Sequence, residues 1–205
     1  MTTKIKICGL TRKEDIQIAN RYKPDFIGFV FADGRRKLSF STAESLRGEL
    51  SKEIKVVGVF VNEPLDNFKD IVKNNLVDLI QLHGDETASY LLKLKEITNK
   101  SIIKVIRAKS GDYIKSQLLS ECGYFLLDSY KKGLYGGSGI AFDYSMLPKI
   151  NKPFFIAGGL NRDNILDCIL RTKPYGVDIS SGVETNGVKD EGKVAEIIQM
   201  IRDIK

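Results

Sequence analysis

The sequence contains a single histidine and only three cysteines among its 205 residues, and that scarcity removes several chemistries. Thiol and hydroxyl nucleophiles ordinarily work with a histidine partner. Zinc is held by histidine, cysteine and carboxylate clusters at short ligand spacing. With His83 alone, and with Cys8, Cys122 and Cys168 at neither an even count nor a metal-ligand spacing, neither chemistry is expected, and the thiols suit a reducing cytoplasm. Long apolar runs are also missing: none approaches the roughly 20 residues that span a bilayer, so no membrane association is expected. Met1 to Lys6 lacks the apolar region of a signal peptide, so export is not expected and the cytoplasm is. No G-x-G-x-x-G fingerprint follows the first strand and no P-loop is present. No linker or low-complexity segment divides the chain, so residues 1–205 read as one domain.

Positive charge is in excess, with a formal net charge of +6 and a pI near 9.1. The cations are dispersed beside acids, as in Lys93-Leu94-Lys95-Glu96, with no basic stripe and no interleaved aromatic platform. Nucleic acid is therefore not the expected partner. The densest cluster, Arg35-Arg36-Lys37, suits an anionic small molecule equally well. Apolar content of 42% and charged content of 28% are ordinary for a globular protein.

Short apolar runs alternate with amphipathic segments along the whole chain. Strands are predicted at Lys4–Cys8, Phe26–Phe31, Val56–Val61, Leu79–Leu82, Ile102–Ile106, Tyr124–Asp128, Phe154–Ala157 and Gly176–Ile179. Helices are predicted near Lys13–Arg21, Thr42–Leu50, Leu65–Asn74, Glu86–Ile97, Tyr113–Ser120, Arg162–Leu170 and Glu191–Ile204, with a short one around Tyr144–Leu147. The strands are continuously apolar, as in Val56-Val57-Gly58-Val59-Phe60-Val61, the pattern of a parallel sheet covered on both faces. Eight such units predict a closed (β/α)₈ TIM barrel, with an open doubly wound sheet as the alternative.

In such barrels the chemistry gathers at the carboxyl ends of the strands. Cys8 ends the first strand in Lys6-Ile7-Cys8-Gly9-Leu10-Thr11, where Thr11 is expected to cap a helix opening at Arg12. Asp128 ends the sixth strand. A thiol base and a carboxylic acid on opposite sides of a pocket suit a proton-transfer isomerisation, provided that nearby cations make the thiolate accessible. Glycine-rich turns follow the last two strands: Gly158-Gly159-Leu160-Asn161, with Asn161 able to cap the next helix, and Asp178-Ile179-Ser180-Ser181-Gly182-Val183-Glu184. Backbone N–H groups in loops at these two positions commonly hold phosphate. The loop Gly136-Gly137-Ser138-Gly139, followed by Phe142-Asp143, could close over a ligand or simply turn.

Together these segments resemble the phosphoribosylanthranilate isomerase family of tryptophan biosynthesis over essentially the whole chain. The resemblance rests on Lys6–Thr11, Gly28–Phe31, Val57–Asn62, Gln81–Glu86, Leu126–Ser129, Gly136–Asp143, Gly158–Leu160, Asp178–Glu184 and Gly187–Asp190. It implies an Amadori rearrangement of a phosphosugar substrate, with no cofactor, no metal and no obligate protein partner. It further implies Asp128 as general acid at the furanose ring oxygen and Cys8 as general base at C2′. Arg36 would contact the anthranilate carboxylate, His83 and Asp178 would line the pocket, and Gly158, Gly159, Ser180, Ser181 and Gly182 would hold the phosphate. Relatives commonly have a serine two residues before that arginine, in a loop one residue longer. Leu38-Ser39 after Arg36 favours Arg36 for the role, with Arg35 as the alternative. Another phosphosugar barrel, or a phosphate-binding protein without catalysis, are the competing readings.

Overall fold

In the computed structural model, which describes residues 2–118, 122–129, 144 and 147–204, eight parallel strands close into a barrel. They are β1 (Lys4–Cys8), β2 (Phe26–Val30), β3 (Lys55–Phe60), β4 (Leu79–Leu82), β5 (Ser101–Ala108), β6 (Tyr124–Ser129), β7 (Phe154–Ala157) and β8 (Gly176–Ile179). β1 pairs with β2 through Lys6↔Phe26 and closes the ring on β8 through Lys6↔Asp178. The outer layer holds α1 (Lys13–Tyr22), α2 (Phe40–Glu49), α3 (Asn67–Lys73), α4 (Ala88–Ile97), α5 (Gly111–Gln117), α6 (Ile165–Thr172) and α7 (Glu191–Arg202). All eight predicted strands are present. The short helix read at Tyr144–Leu147 and the glycine loop at Gly136–Asp143 lie mostly or wholly outside the described residues.

Burial on both faces explains the continuous apolar runs. Outward-facing Ile5, Ile7, Ile27, Phe29, Val56, Ile80, Ile102, Ile156 and Val177 pack against the helices. Alternate residues Phe26, Val57, Leu79, Ile103, Leu126 and Phe155 fill the barrel interior, as the two-residue period of a strand demands. Among the described residues, the lower interior is filled and the cavity lies at the upper end of the barrel.

Two helix caps differ from the sequence expectation. Thr11 does not cap α1. The Asp15 carboxylate instead accepts the backbone N–H groups of Thr11 (2.8 Å) and Arg12 (3.1 Å), and Arg12 occupies the cap position. A carboxylate in the first turn serves unpaired N–H donors with a stronger, charged acceptor than a hydroxyl. After β7, Asn161 tightens the turn by accepting from Asp163 N–H, and Asn164 stands at the cap of α6. Ser39 does open α2, accepting the Thr42 N–H at 3.1 Å.

Beyond β8 the chain makes a single 3₁₀ turn (Ser181–Val183), then a two-stranded hairpin of β9 (Glu184–Thr185) and β10 (Val188–Lys189). Asn186 and Gly187 at its tip have φ of 52° and 82°, the left-handed pair that a two-residue hairpin loop requires. The hairpin delivers Glu184 and Lys189 to the open end of the barrel.

Candidate active site

A cavity of about 310 Å³ occupies the carboxyl ends of the strands. Cys8, Arg36, Gln81, His83, Asp128 and Asp178 line it, together with Gly158, Gly159, Ser180 and Ser181 from the last two strand-end turns. Every residue expected at the site from sequence therefore meets in one place except Gly182. That residue lies inside the 3₁₀ turn, packed close to the Leu160 carbonyl.

Cys8 and Asp128 come from opposite arcs of the ring and are both buried. The neighbour of Cys8 is the fully buried Lys6, two residues earlier on the same inward face, whose Nζ donates to Asp178 Oδ2 at 2.9 Å. Burial pushes the Cys8 thiol above its ordinary pKa, and the Lys6 and Lys189 charges pull the other way without overcoming it. Burial also opposes the charge on Lys6, but Asp178 and Cys8 outweigh it and its pKa is raised. Lys6 is thus a fixed cation beneath the thiol. Gly28 of β2 makes the room, because a Cβ at that position would stand 2.5 Å from Cys8 Sγ.

Asp128 is held by His83, whose Nε2 lies 3.2 Å from Asp128 Oδ2, and Gln81 Nε2 lies 3.2 Å from His83 Nδ1. The donor and acceptor in these two contacts depend on the His83 tautomer: the Nε2-protonated form donates to Asp128 and leaves Nδ1 to accept from the Gln81 amide. Behind them, buried Lys104 donates to Glu86 Oε2 at 2.6 Å, and Glu86 accepts the backbone N–H groups of Asn62 and Gly84. That ion pair pins the turns after β3 and β4, and with them His83. Gly158, at φ of 90°, lets the β7 turn pass Asp128: a Cβ there would stand 2.7 Å from Asp128 Oδ1.

Gln81 had no role in the sequence reading, although its place in β4, two residues before His83 at that strand's carboxyl end, puts both side chains on the inward side. Its Oε1 and Asp178 Oδ1 are buried without a hydrogen-bond partner among the described residues. Buried acceptors of this kind call for a donor, and hydroxyl or amine groups of a ligand in the cavity would supply it. Ser180 Oγ donates to the Cys8 carbonyl at 2.9 Å and joins the phosphate-type turn to β1.

Arg35 and Arg36 both line the cavity, Arg36 with its side chain 21% exposed and Arg35 with its side chain 53% exposed. Both reach Glu184, another residue without a role in the sequence reading. Among the described residues no group of three histidine, cysteine, aspartate or glutamate side chains is arranged to hold a metal ion, and no helix is long and apolar enough to cross a membrane.

A closed parallel barrel with a buried thiol and a histidine-held carboxylate in its strand-end cavity defines the class: a (β/α)₈-barrel enzyme. The family model described as N-(5'-phosphoribosyl)anthranilate (PRA) isomerase matches residues 5–200. The N-(5'-phosphoribosyl)anthranilate isomerase of Endomicrobium trichonymphae is 46% identical over 201 residues, covering 98% of this chain and 99% of that protein. The crystal structure of phosphoribosyl anthranilate isomerase from Thermotoga maritima superposes with a TM-score of 0.87 at 29% identity, covering 98% of this chain and all of that one. A further structure, of a phosphoribosyl anthranilate isomerase in complex with reduced 1-(o-carboxyphenylamino)-1-deoxyribulose 5-phosphate, gives 0.82 at 28% identity, with 98% and 100% coverage. The chain belongs to the N-(5'-phosphoribosyl)anthranilate isomerase family and is an isomerase of tryptophan biosynthesis.

Proposed function

We propose that this isomerase, working as one domain in the cytoplasm, binds its phosphosugar substrate across the strand-end cavity and rearranges it with Asp128 as acid and Cys8 as base. The observation that carries the reading is the shared cavity lining of Cys8, Asp128, Arg36 and the two glycine-rich turns. The substrate phosphate sits against the turns at Gly158–Gly159 and Ser180–Ser181, where backbone N–H donors and small side chains allow close approach. The anthranilate carboxylate lies at Arg36.

The reaction then follows from charge. Asp128 gives its proton to the furanose ring oxygen, the C1′–O bond breaks, and the anthranilate nitrogen lone pair forms a cationic Schiff base. His83 stabilises the carboxylate left behind. The thiol of the free pocket is held up by burial, but the Schiff base cation beside C2′ joins Lys6 in favouring a thiolate. Cys8 removes the C2′ proton, its electron pair forms the C1′=C2′ double bond while the C1′=N π pair returns to nitrogen, and the resulting enolamine tautomerises to the aminoketose. C1′ is reduced as C2′ is oxidised, so the electrons balance within the substrate. Asp178 Oδ1 and Gln81 Oε1 accept from the sugar hydroxyls. Freshly prepared phosphoribosylanthranilate supplied to the purified protein should lose its fluorescence at a rate proportional to enzyme. No loss above the spontaneous rate would refute the reading.

A further inference from the structure

Glu184 lies on β9 with its side chain only 5% exposed, and four donors converge on its carboxylate. Oε1 accepts from Arg36 Nε and from Lys189 Nζ, both at 2.8 Å. Oε2 accepts from Arg36 Nη2 at 2.9 Å and from Arg35 Nη2. Lys189 Nζ also donates to the Ser180 carbonyl at 3.0 Å, so this one side chain ties the turn after β2 to the turn after β8.

A guanidinium has two edges that can each hold a carboxylate through parallel hydrogen bonds, the Nε–Nη2 side and the Nη1–Nη2 end. Glu184 takes the side edge of Arg36 and leaves the end edge for a second anion. Without it Arg36 would be a long side chain with many rotamers, beside two like charges at Arg35 and Lys189. With it the fork is fixed before any ligand arrives. The cluster still holds three cations against one carboxylate, so a second carboxylate is attracted.

We propose that Glu184 is the positioning residue that aims Arg36, so that the Nη1–Nη2 edge of Arg36 takes the anthranilate carboxylate and the site selects substrates that carry it. This rests on the reading of Arg36 under Proposed function.

The test compares two competitive inhibitors, reduced 1-(o-carboxyphenylamino)-1-deoxyribulose 5-phosphate and its phenylamino counterpart without the carboxylate. In wild-type enzyme the carboxylate should improve binding by at least about tenfold, and Arg36→Met should erase that preference. Glu184→Gln should erase most of it too, raising KM by about tenfold with kcat nearly unchanged, because an interaction equal in ground and transition states is lost. Glu184→Asp keeps the charge and shortens the reach, so it should also raise KM, and it serves if the glutamine variant does not fold. In the Arg36→Met/Glu184→Gln double variant the loss should be no greater than for Arg36→Met alone. A structural Glu184 would lower the melting temperature and the active fraction, while the folded enzyme kept its KM and its inhibitor preference; that result overturns the proposal. Additive losses in the double variant overturn it as well. If wild type shows no preference, or Arg36→Met retains it, the reading of Arg36 itself fails, and the proposal with it.

Discussion

Replacing Gly28 by alanine adds one carbon at the most sensitive point of the site. The new Cβ would stand 2.5 Å from Cys8 Sγ, 3.1 Å from its Cα and 3.2 Å from its Cβ. Ordinary contact between such atoms begins near about 3.5 Å, so the sulfur must retreat by roughly 1 Å. Both residues sit on paired central strands, through Cys8↔Gly28, and the backbone cannot yield without disturbing the barrel. A misplacement of about 1 Å at a reacting group costs on the order of 100-fold in rate. Overpacking of this kind should cost about 1–3 kcal/mol of stability, which lowers Tm by roughly 2–4 °C for each kcal/mol in a chain of this size. The expected outcome is a folded enzyme with kcat/KM reduced about 100-fold, measured by the fluorescence loss of phosphoribosylanthranilate, with Tm read by circular dichroism. Near-normal kcat/KM at a lowered Tm would refute the reasoning, because it would mean that the position of the thiol does not govern the rate.

Two further expectations concern charge. Since burial holds the Cys8 thiol above its ordinary pKa, kcat/KM should climb as pH rises above neutrality, and Lys6→Met should move that climb to higher pH by removing a cation that favours the thiolate; a pH–rate profile of both proteins checks this, and an unshifted limb would detach Lys6 from Cys8. Burial works to raise the Glu184 pKa, but hydrogen bonds from Arg36 and Lys189 bring it down from 4.5 to about 2, while at Lys189 burial wins and lowers the pKa despite the pairing. A carboxyl depressed on folding stabilises the protein above its unfolded pKa and loses that contribution as pH falls through the folded one. Stability measured by urea unfolding should therefore drop between pH 4.5 and about 2, and Glu184→Gln should flatten that drop by a few kcal/mol at most. An unchanged acid limb would mean that the cluster carries no net stabilisation.

The barrel was legible because its strands are buried on both faces, and continuous apolar runs such as Val56–Val59 admit few other readings. The strand-end rule then carried Cys8, Asp128 and the turns after β7 and β8 into one cavity. Helix starts were less legible. A hydroxyl at Thr11 and an amide at Asn161 looked like caps, but Asp15 supplied a charged acceptor to the first turn of α1, and Asn164 took the cap position of α6. Gln81 could have been found from strand period alone, standing two residues before His83. Glu184 was harder. Its signal was the Asn186-Gly187 dipeptide of a tight hairpin between Glu184-Thr185 and Val188-Lys189, and no local pattern discloses that the hairpin's carboxylate crosses to Arg36 on the β2 turn. Such long-range pairings depend on the closure of the barrel, which brings β1 beside β8.

The central claim is that Cys8 and Asp128 move protons rather than hold the pocket together. Turnover of phosphoribosylanthranilate by Cys8→Ser and Asp128→Asn, set beside the affinity of each variant for the reduced product analogue, tests it most directly. Serine is nearly isosteric but far less acidic, and asparagine keeps the shape of aspartate without its proton. Each variant should lose roughly two to four decades in kcat while binding the analogue about as well as wild type. Near-normal turnover by folded Cys8→Ser or Asp128→Asn protein would contradict the account.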